Sequence, residues 1–202
     1  MKDTIKISPA KPPRIPAGVV AETQNYANQS VAGFELAETK LDQADLSSGQ
    51  WRGASFTDTE ITRSLMFARN LDSSTLERVV VRDTNAAGLV LSGSHLVDVV
   101  FDNCQLEGVN LRFASLRRVE FRHCQLREAD FSQATLASVK LTSCDLTGSD
   151  WSGVTLRETD LRSSTLTAIH GVTGLKGATI SATQAIELVP SFISSLGLKV
   201  VG

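Results

Sequence analysis

Cysteine is scarce in this chain and never closely spaced, with Cys104, Cys124 and Cys144 the only three in 202 residues. An odd, wide set builds neither a disulfide framework nor a CxxC metal motif, so it reads as reduced thiols in a cytosolic protein. Histidine is as sparse, and His95, His123 and His170 share no spacing suited to a metal. No apolar run is long enough for a signal peptide or a bilayer span, which points to a soluble, cytoplasmic protein with no membrane role. Strong charge of one sign is also missing. The formal balance is −2, which gives no global field for direct nucleic-acid binding. Gly-rich phosphate loops, Ser/His/Asp sets and paired acid–base carboxylates are absent. We therefore expect a non-enzyme, with no catalytic, cofactor or metal site.

What is present is a count of fives. From Leu36 to Leu166 every fifth residue is apolar, running through Trp51, Phe56, Ile61 and onward to Leu161 without a slip. Period five suits neither an isolated helix nor a flat strand, so it signals a repeat architecture. Two places before each centre the residue is mostly small or β-branched, as at Ala44, Ala54, Ser64, Val99 and Ala114. Two side chains of each five point inward, the small one where the backbone turns, and three point outward. A second period of twenty places Cys104, Cys124 and Cys144 in one column and Trp51, Leu71, Leu91, Leu111, Phe131 and Trp151 in another. Four fives per coil stack like residues at the inter-strand spacing of about 4.8 Å. The shape expected is an all-β, square-sectioned solenoid of nearly seven coils. Its weakest coil falls at 84–90, where Ala86 is a small centre and Leu89 a large residue in the small place, and local distortion is expected there.

The units Ala44-Asp45-Leu46-Ser47-Ser48, Ala129-Asp130-Phe131-Ser132-Gln133 and Cys144-Asp145-Leu146-Thr147-Gly148 resemble the pentapeptide-repeat family, over roughly two-thirds of the chain. That resemblance implies a right-handed quadrilateral β-helix. The organisation expected is a Pro-rich N-terminal arm (1–20), the β-helix (21–170), and a C-terminal helical cap with a short strand (171–202). The arm carries Pro9, Pro12, Pro13 and Pro16 with Lys2, Lys6, Lys11 and Arg14. It is either a tail or a cover for the solenoid edge or a partner subunit. In the cap, Ser181 suits an N-cap and Ala185, Ile186, Leu188 and Val189 an apolar side. Pro190 ends that helix or opens a second one through Leu196, and Leu198, Val200 and Val201 read as the strand.

Outward positions hold what function there is. Glu107, Glu128, Asp130, Asp145 and Asp150 form a mildly acidic side, a candidate surface for a protein partner. Arg82, Asp102 and Arg122, and Glu107 over Arg127, alternate in sign as stacked ion pairs would. Leu65, Phe67, Val80, Val97 and Val100 are a candidate apolar interface. The C-terminal segment, with Ile186, Val189, Phe192, Ile193 and Leu196, resembles the helix of the Qnr- and MfpA-type quinolone-resistance members. That resemblance implies a homodimer through the helix, and DNA gyrase bound by DNA mimicry. Pro190, the lack of loop insertions and the small net charge depart from it. The reading favoured is a non-catalytic protein-binding rod, with the gyrase-binding DNA mimic as the alternative.

Overall fold

A computed structural model of the chain describes residues 21–22 and 25–200. The Pro-rich arm 1–20 and Val201 of the expected terminal strand lie outside the described residues. The elements in order are β1 (Ala21–Glu22), β2 (Glu35–Ala37), β3 (Lys40–Asp42), β4 (Ser55–Thr62), β5 (Thr75–Arg82), β6 (His95–Asp102) and β7 (Ser115–Arg122). They continue with β8 (Thr135–Ala137), β9 (Lys140–Thr142), β10 (Thr155–Arg157), β11 (Thr159–Asp160), a 3₁₀ turn (Val172–Leu175), β12 (Ala178–Thr179), α1 (Ala182–Glu187) and α2 (Val189–Ser195).

Strands pair in parallel with their counterparts twenty residues away. Phe56 lies beside Leu76, Leu76 beside Leu96, Leu96 beside Leu116, and Leu116 beside Leu136. The next column runs Ile61, Val81, Phe101, Phe121, Leu141. Two further walls are held by single bridges, such as Gln105 to Gln125 and Asn110 to Asp130. The result is a β-solenoid of about seven turns. Both inward positions of the five are buried throughout the middle coils, and Phe101 stacks on Phe121 at 5.1 Å between ring centroids.

The corner lies one residue before the small position. That residue takes a left-handed φ in coil after coil, as at Asn103 (52°), Phe113 (58°), His123 (53°) and Glu128 (56°). On two walls a tight turn closes around it, with the Val109 amide donating to Leu106 O and the Ala114 amide to Leu111 O. Positive φ at the third residue of such a turn is the type II requirement. The small residue is therefore just past the bend rather than on it.

The coil at 84–90 is not distorted. Asn85 bridges Gln105 and Val90 bridges Asn110 in the common register, while Ala86 and Leu89 are both buried. The large and small inward residues have exchanged places, so the volume inside is kept.

The C-terminal end is closed by side-chain chemistry. Ser181 caps α1 in a capping box with Gln184, as its place in the sequence suggests. The inward residues of α1 and its end are Gln184 and Leu188, however, and Ala185, Ile186 and Val189 face solvent. Gln184 stands twenty residues past Ser164 and acts as the next coil would. Its Nε2 donates to Leu161 O at 2.6 Å and to Ser164 O at 2.5 Å. Pro190 sits in the first turn of the separate helix α2, where its missing N–H costs nothing. After Gly197 (φ 65°) the chain through Val200 forms no strand. Gln184→Ala should lower stability by about 2 kcal/mol through two stranded carbonyls, seen as a lower melting temperature. An unchanged melt would remove the capping role.

Candidate functional site

The interior offers little chemistry. Cys104, Cys124 and Cys144 are buried, and the Cys124 thiol donates to Arg122 O at 3.2 Å. Hydrogen bonding with the Cys104 thiol, then burial, pushes Cys124 up to about 12, and the Cys124 thiol and burial push Cys144 up likewise. Thiols held protonated, as at Cys124 and Cys144, are poor nucleophiles; the Cys104 thiol is shifted down by its hydrogen bond with Cys124, but it is only 1% exposed. Among the described residues no group of three or more His, Cys, Asp or Glu is placed to hold a metal, and no helix is long and apolar enough to cross a membrane.

On the acidic side, Asp130, Asp145 and Asp150 precede inward centres, and each closes the turn that follows. Asp145 Oδ1 accepts from the Thr147 amide at 3.0 Å and from Thr147 Oγ1 at 2.6 Å. Asp130 does the same with Ser132, and Asp150 accepts from the Ser152 amide at 2.8 Å. Burial raises the Asp145 carboxyl, but Thr147 and Arg127 outweigh it and hold the group below the usual carboxylate range. Arg112 lies 3.7 Å from Asp130, and Arg127 3.5 Å from Asp145. Glu107 and Glu128 are exposed. The five acids share two adjacent walls, with arginines set between them.

The ion pairs do not follow the simple columns. Arg82 turns to Glu60 at 2.7 Å rather than to Asp102, Arg122 binds Glu120 on its own strand at 2.5 Å, and Arg127 reaches Asp145 rather than Glu107. Long side chains lean along the strand, so diagonal partners compete with direct ones. A true alternating column runs along the shared corner of β4 to β7. Arg78 grips Asp58 through two bonds of 2.7 Å, and Arg118 grips Asp98 at 2.6 and 2.7 Å. The hydrogen bonds from Asp58 and Asp98 raise the Arg78 and Arg118 guanidiniums above their ordinary range.

The expected apolar interface divides. Leu65 and Phe67 are exposed on one wall, at 41% and 38%. Val80 and Val100 occupy outward register on another wall, yet they are buried, and Val97 beside them is half-buried. They are therefore not an open patch. Val80 and Val100 lie in a trough between the Asp58–Arg78 and Asp98–Arg118 pairs and the Glu60–Arg82 and Glu120–Arg122 pairs, with Val97 across the corner from them.

The C-terminal tip is the open apolar surface. Ile186 is 73% and Leu196 67% exposed, with Val189, Phe192 and Leu198 exposed beside them and Ile193 half-buried. The helix periodicity that should bury such residues is spent on Gln184 and Leu188. Phe113 escaped the sequence reading: at a left-handed corner, it is 61% exposed with the Arg112 guanidinium 5.5 Å from its ring centroid. Its signal was available, because it is the one phenylalanine in that place of the five.

Residues 65–131 and 94–170 match the family described as "Pentapeptide repeat region". No curated protein sequence matches the chain. Among solved structures, a trypsin-treated form of QnrB1, a plasmid-mediated fluoroquinolone resistance protein, is 15% identical. The match covers 90% of this chain and 99% of that one at a TM-score of 0.44. HetL, a pentapeptide repeat protein involved in heterocyst differentiation regulation from the cyanobacterium Nostoc, is 18% identical over 77% of this chain and 88% of its own, at 0.27. Rfr23 from the cyanobacterium Cyanothece is 13% identical over 67% and 90%, at 0.35.

Proposed function

Because the chain belongs to the pentapeptide-repeat family, we propose that it is a non-catalytic, protein-binding rod whose C-terminal tip joins a second copy end to end. The observation that carries this reading is the apolar tip. Ile186, Val189, Phe192, Leu196 and Leu198 are exposed on two short helices and the segment that follows them at the end of the rod. A contiguous exposed apolar patch rimmed by polar residues marks an interaction surface. An end-to-end pair related by a two-fold axis covers the same patch on both copies and closes the assembly. The walls, with their mixed charge and Phe113, are left for a further protein partner.

Sedimentation of the full chain tests the tip. Wild-type protein should approach twice 21.7 kDa, while Ile186→Asp with Leu196→Asp should weaken association about 100-fold, since buried apolar anchors dominate interfaces. A monomer at all concentrations, or a dimer indifferent to the two changes, would refute it.

The alternative is a DNA mimic bound by DNA gyrase. A duplex presents one negative charge per about 1.7 Å, whereas here Arg112 and Arg127 sit among the acids. We rank it second on that ground. A gyrase supercoiling titration, with and without a quinolone, decides it, and no inhibition or protection at micromolar protein would end it.

A further inference from the structure

The trough at Val80 and Val100 poses a question that the solenoid alone does not answer. The outward column Lys40, Glu60, Val80, Val100, Glu120, Lys140 runs exposed, half-buried, buried, buried, buried, exposed. Val80 is 5%, Val100 9% and Glu120 7% accessible, and nearby Asp58 and Asp98 are 6% and 3%. Outward side chains on a flat wall should meet solvent alike from coil to coil. The substantial neighbours of β5 and β6 are the strands stacked beside them, β4 to β7, so no described helix or strand packs broadly across the trough. Of the bordering arginines, Arg82 and Arg122 keep 45% and 43% of their side chains exposed, whereas Arg78 and Arg118, at 18% and 19%, are themselves largely covered.

We propose that this band is a docking groove, and that its occupant is the chain's own Pro-rich segment 1–20. Three observations select that occupant. β1 begins at Ala21 and pairs with Leu41, so the chain joins the solenoid beside Lys40, at the head of the trough. The span from Glu60 to Glu120 is three strand spacings, about 14 Å, while twenty extended residues reach about 60 Å. The segment also has fitting chemistry. Ile5, Ile7, Ile15 and four prolines supply apolar surface for the valines, and Lys2, Lys6, Lys11 and Arg14 supply donors for the carboxylates at the rim. Proline has no backbone donor, which suits a segment crossing a wall whose own strands already satisfy their hydrogen bonds. The solenoid thus presents a groove for basic, proline-rich peptide, filled from within the same chain.

The test uses the full chain with the photo-cross-linker p-benzoylphenylalanine in place of half-buried Glu60, in the trough's own column, mixed with an isotopically heavy copy. Cross-links to residues 1–20 of the same chain are expected. Heavy-to-light cross-links would replace this occupant with a second copy's arm, and no link to 1–20 would overturn the proposal. Independently, trypsin should cut after Arg14 about tenfold faster in Val100→Arg than in wild type, with melting of the solenoid preserved. Equal cutting in a folded variant would also overturn it. If that variant fails to fold, the cross-link decides alone.

Discussion

Leu116→Asp is expected to leave no cooperative thermal transition at all. Leu116 is 1% exposed and stacked between Leu96 and Leu136, inside an unbroken column that runs from Leu36 to Leu156. The change forfeits about 2–3 kcal/mol of burial. It also places a carboxylate between apolar layers with no cation to meet it, which costs several kcal/mol more. A domain holds only about 5–15 kcal/mol in total. In a solenoid the loss also falls on both neighbouring interfaces, because each coil is stabilised by the coils beside it. Leu116→Met, which keeps the volume, should melt within a few degrees of wild type. A near-wild-type melt for the aspartate variant would mean that residue 116 faces solvent and that the register of stacked coils is wrong.

Arg69→Leu is the second large effect, and it acts at the other end. Arg69 occupies a small, inward place and is fully buried, and among the described residues its hydrogen bonds go to backbone carbonyls rather than to a carboxylate. Burial pushes its guanidinium down to about 10, which still leaves it charged at neutral pH. It is held by four backbone carbonyls, Leu46 O at 2.5 Å, Gln29 O and Tyr26 O at 2.8 Å, and Ser47 O at 3.1 Å. Its carbon also lies 4.0 Å from the centroid of the Trp51 ring, on which Phe34 stacks at 3.9 Å. Gly49 makes room for this. A side chain there would meet Gln29 O at 2.2 Å, and its φ of 76° disfavours one in any case. Arg69 thus sews the first coils together, as Gln184 closes the last. Leucine keeps apolar volume but strands the carbonyls and loses the cation–π contact, at about 4 kcal/mol together. That corresponds to a melting temperature lower by roughly 8–16 °C, with hydrogen-exchange protection lost first at residues 25–50. A melt within about 1 °C of wild type would contradict this account of the N-terminal end.

These two residues also mark how far the sequence could be read. Leu116 was legible because its meaning is periodic: an apolar residue every five and a like neighbour every twenty leave one way to stack. The exchange of Ala86 and Leu89 looked like a flaw because a residue-by-residue pattern does not conserve volume across a coil, and the interior does. Arg69 could not be recognised, since a charged residue in a small place has no role until the backbone carbonyls converge on it. Gln184 was hidden for a similar reason. Its helix was visible from Ser181 and the polar–apolar pattern, but the inward face was set by the edge carbonyls of Leu161 and Ser164 rather than by hydropathy. The same competition sent Ile186 and Val189 outward. At the surface, the acids and the valines of the trough were found by column. Their partners were not, because diagonal reach, as from Arg127 to Asp145, is decided by side-chain length and the corner geometry.

The claim that matters most is the end-to-end rod, and small-angle X-ray scattering of the full chain measures it most directly. A single solenoid of about seven turns is roughly 34 Å long before its caps. An end-to-end dimer gives a particle about twice the single-rod length at unchanged cross-section, reverting to one length in the Ile186→Asp, Leu196→Asp variant. A particle of single length at every concentration, or one with doubled cross-section and unchanged length, would contradict it.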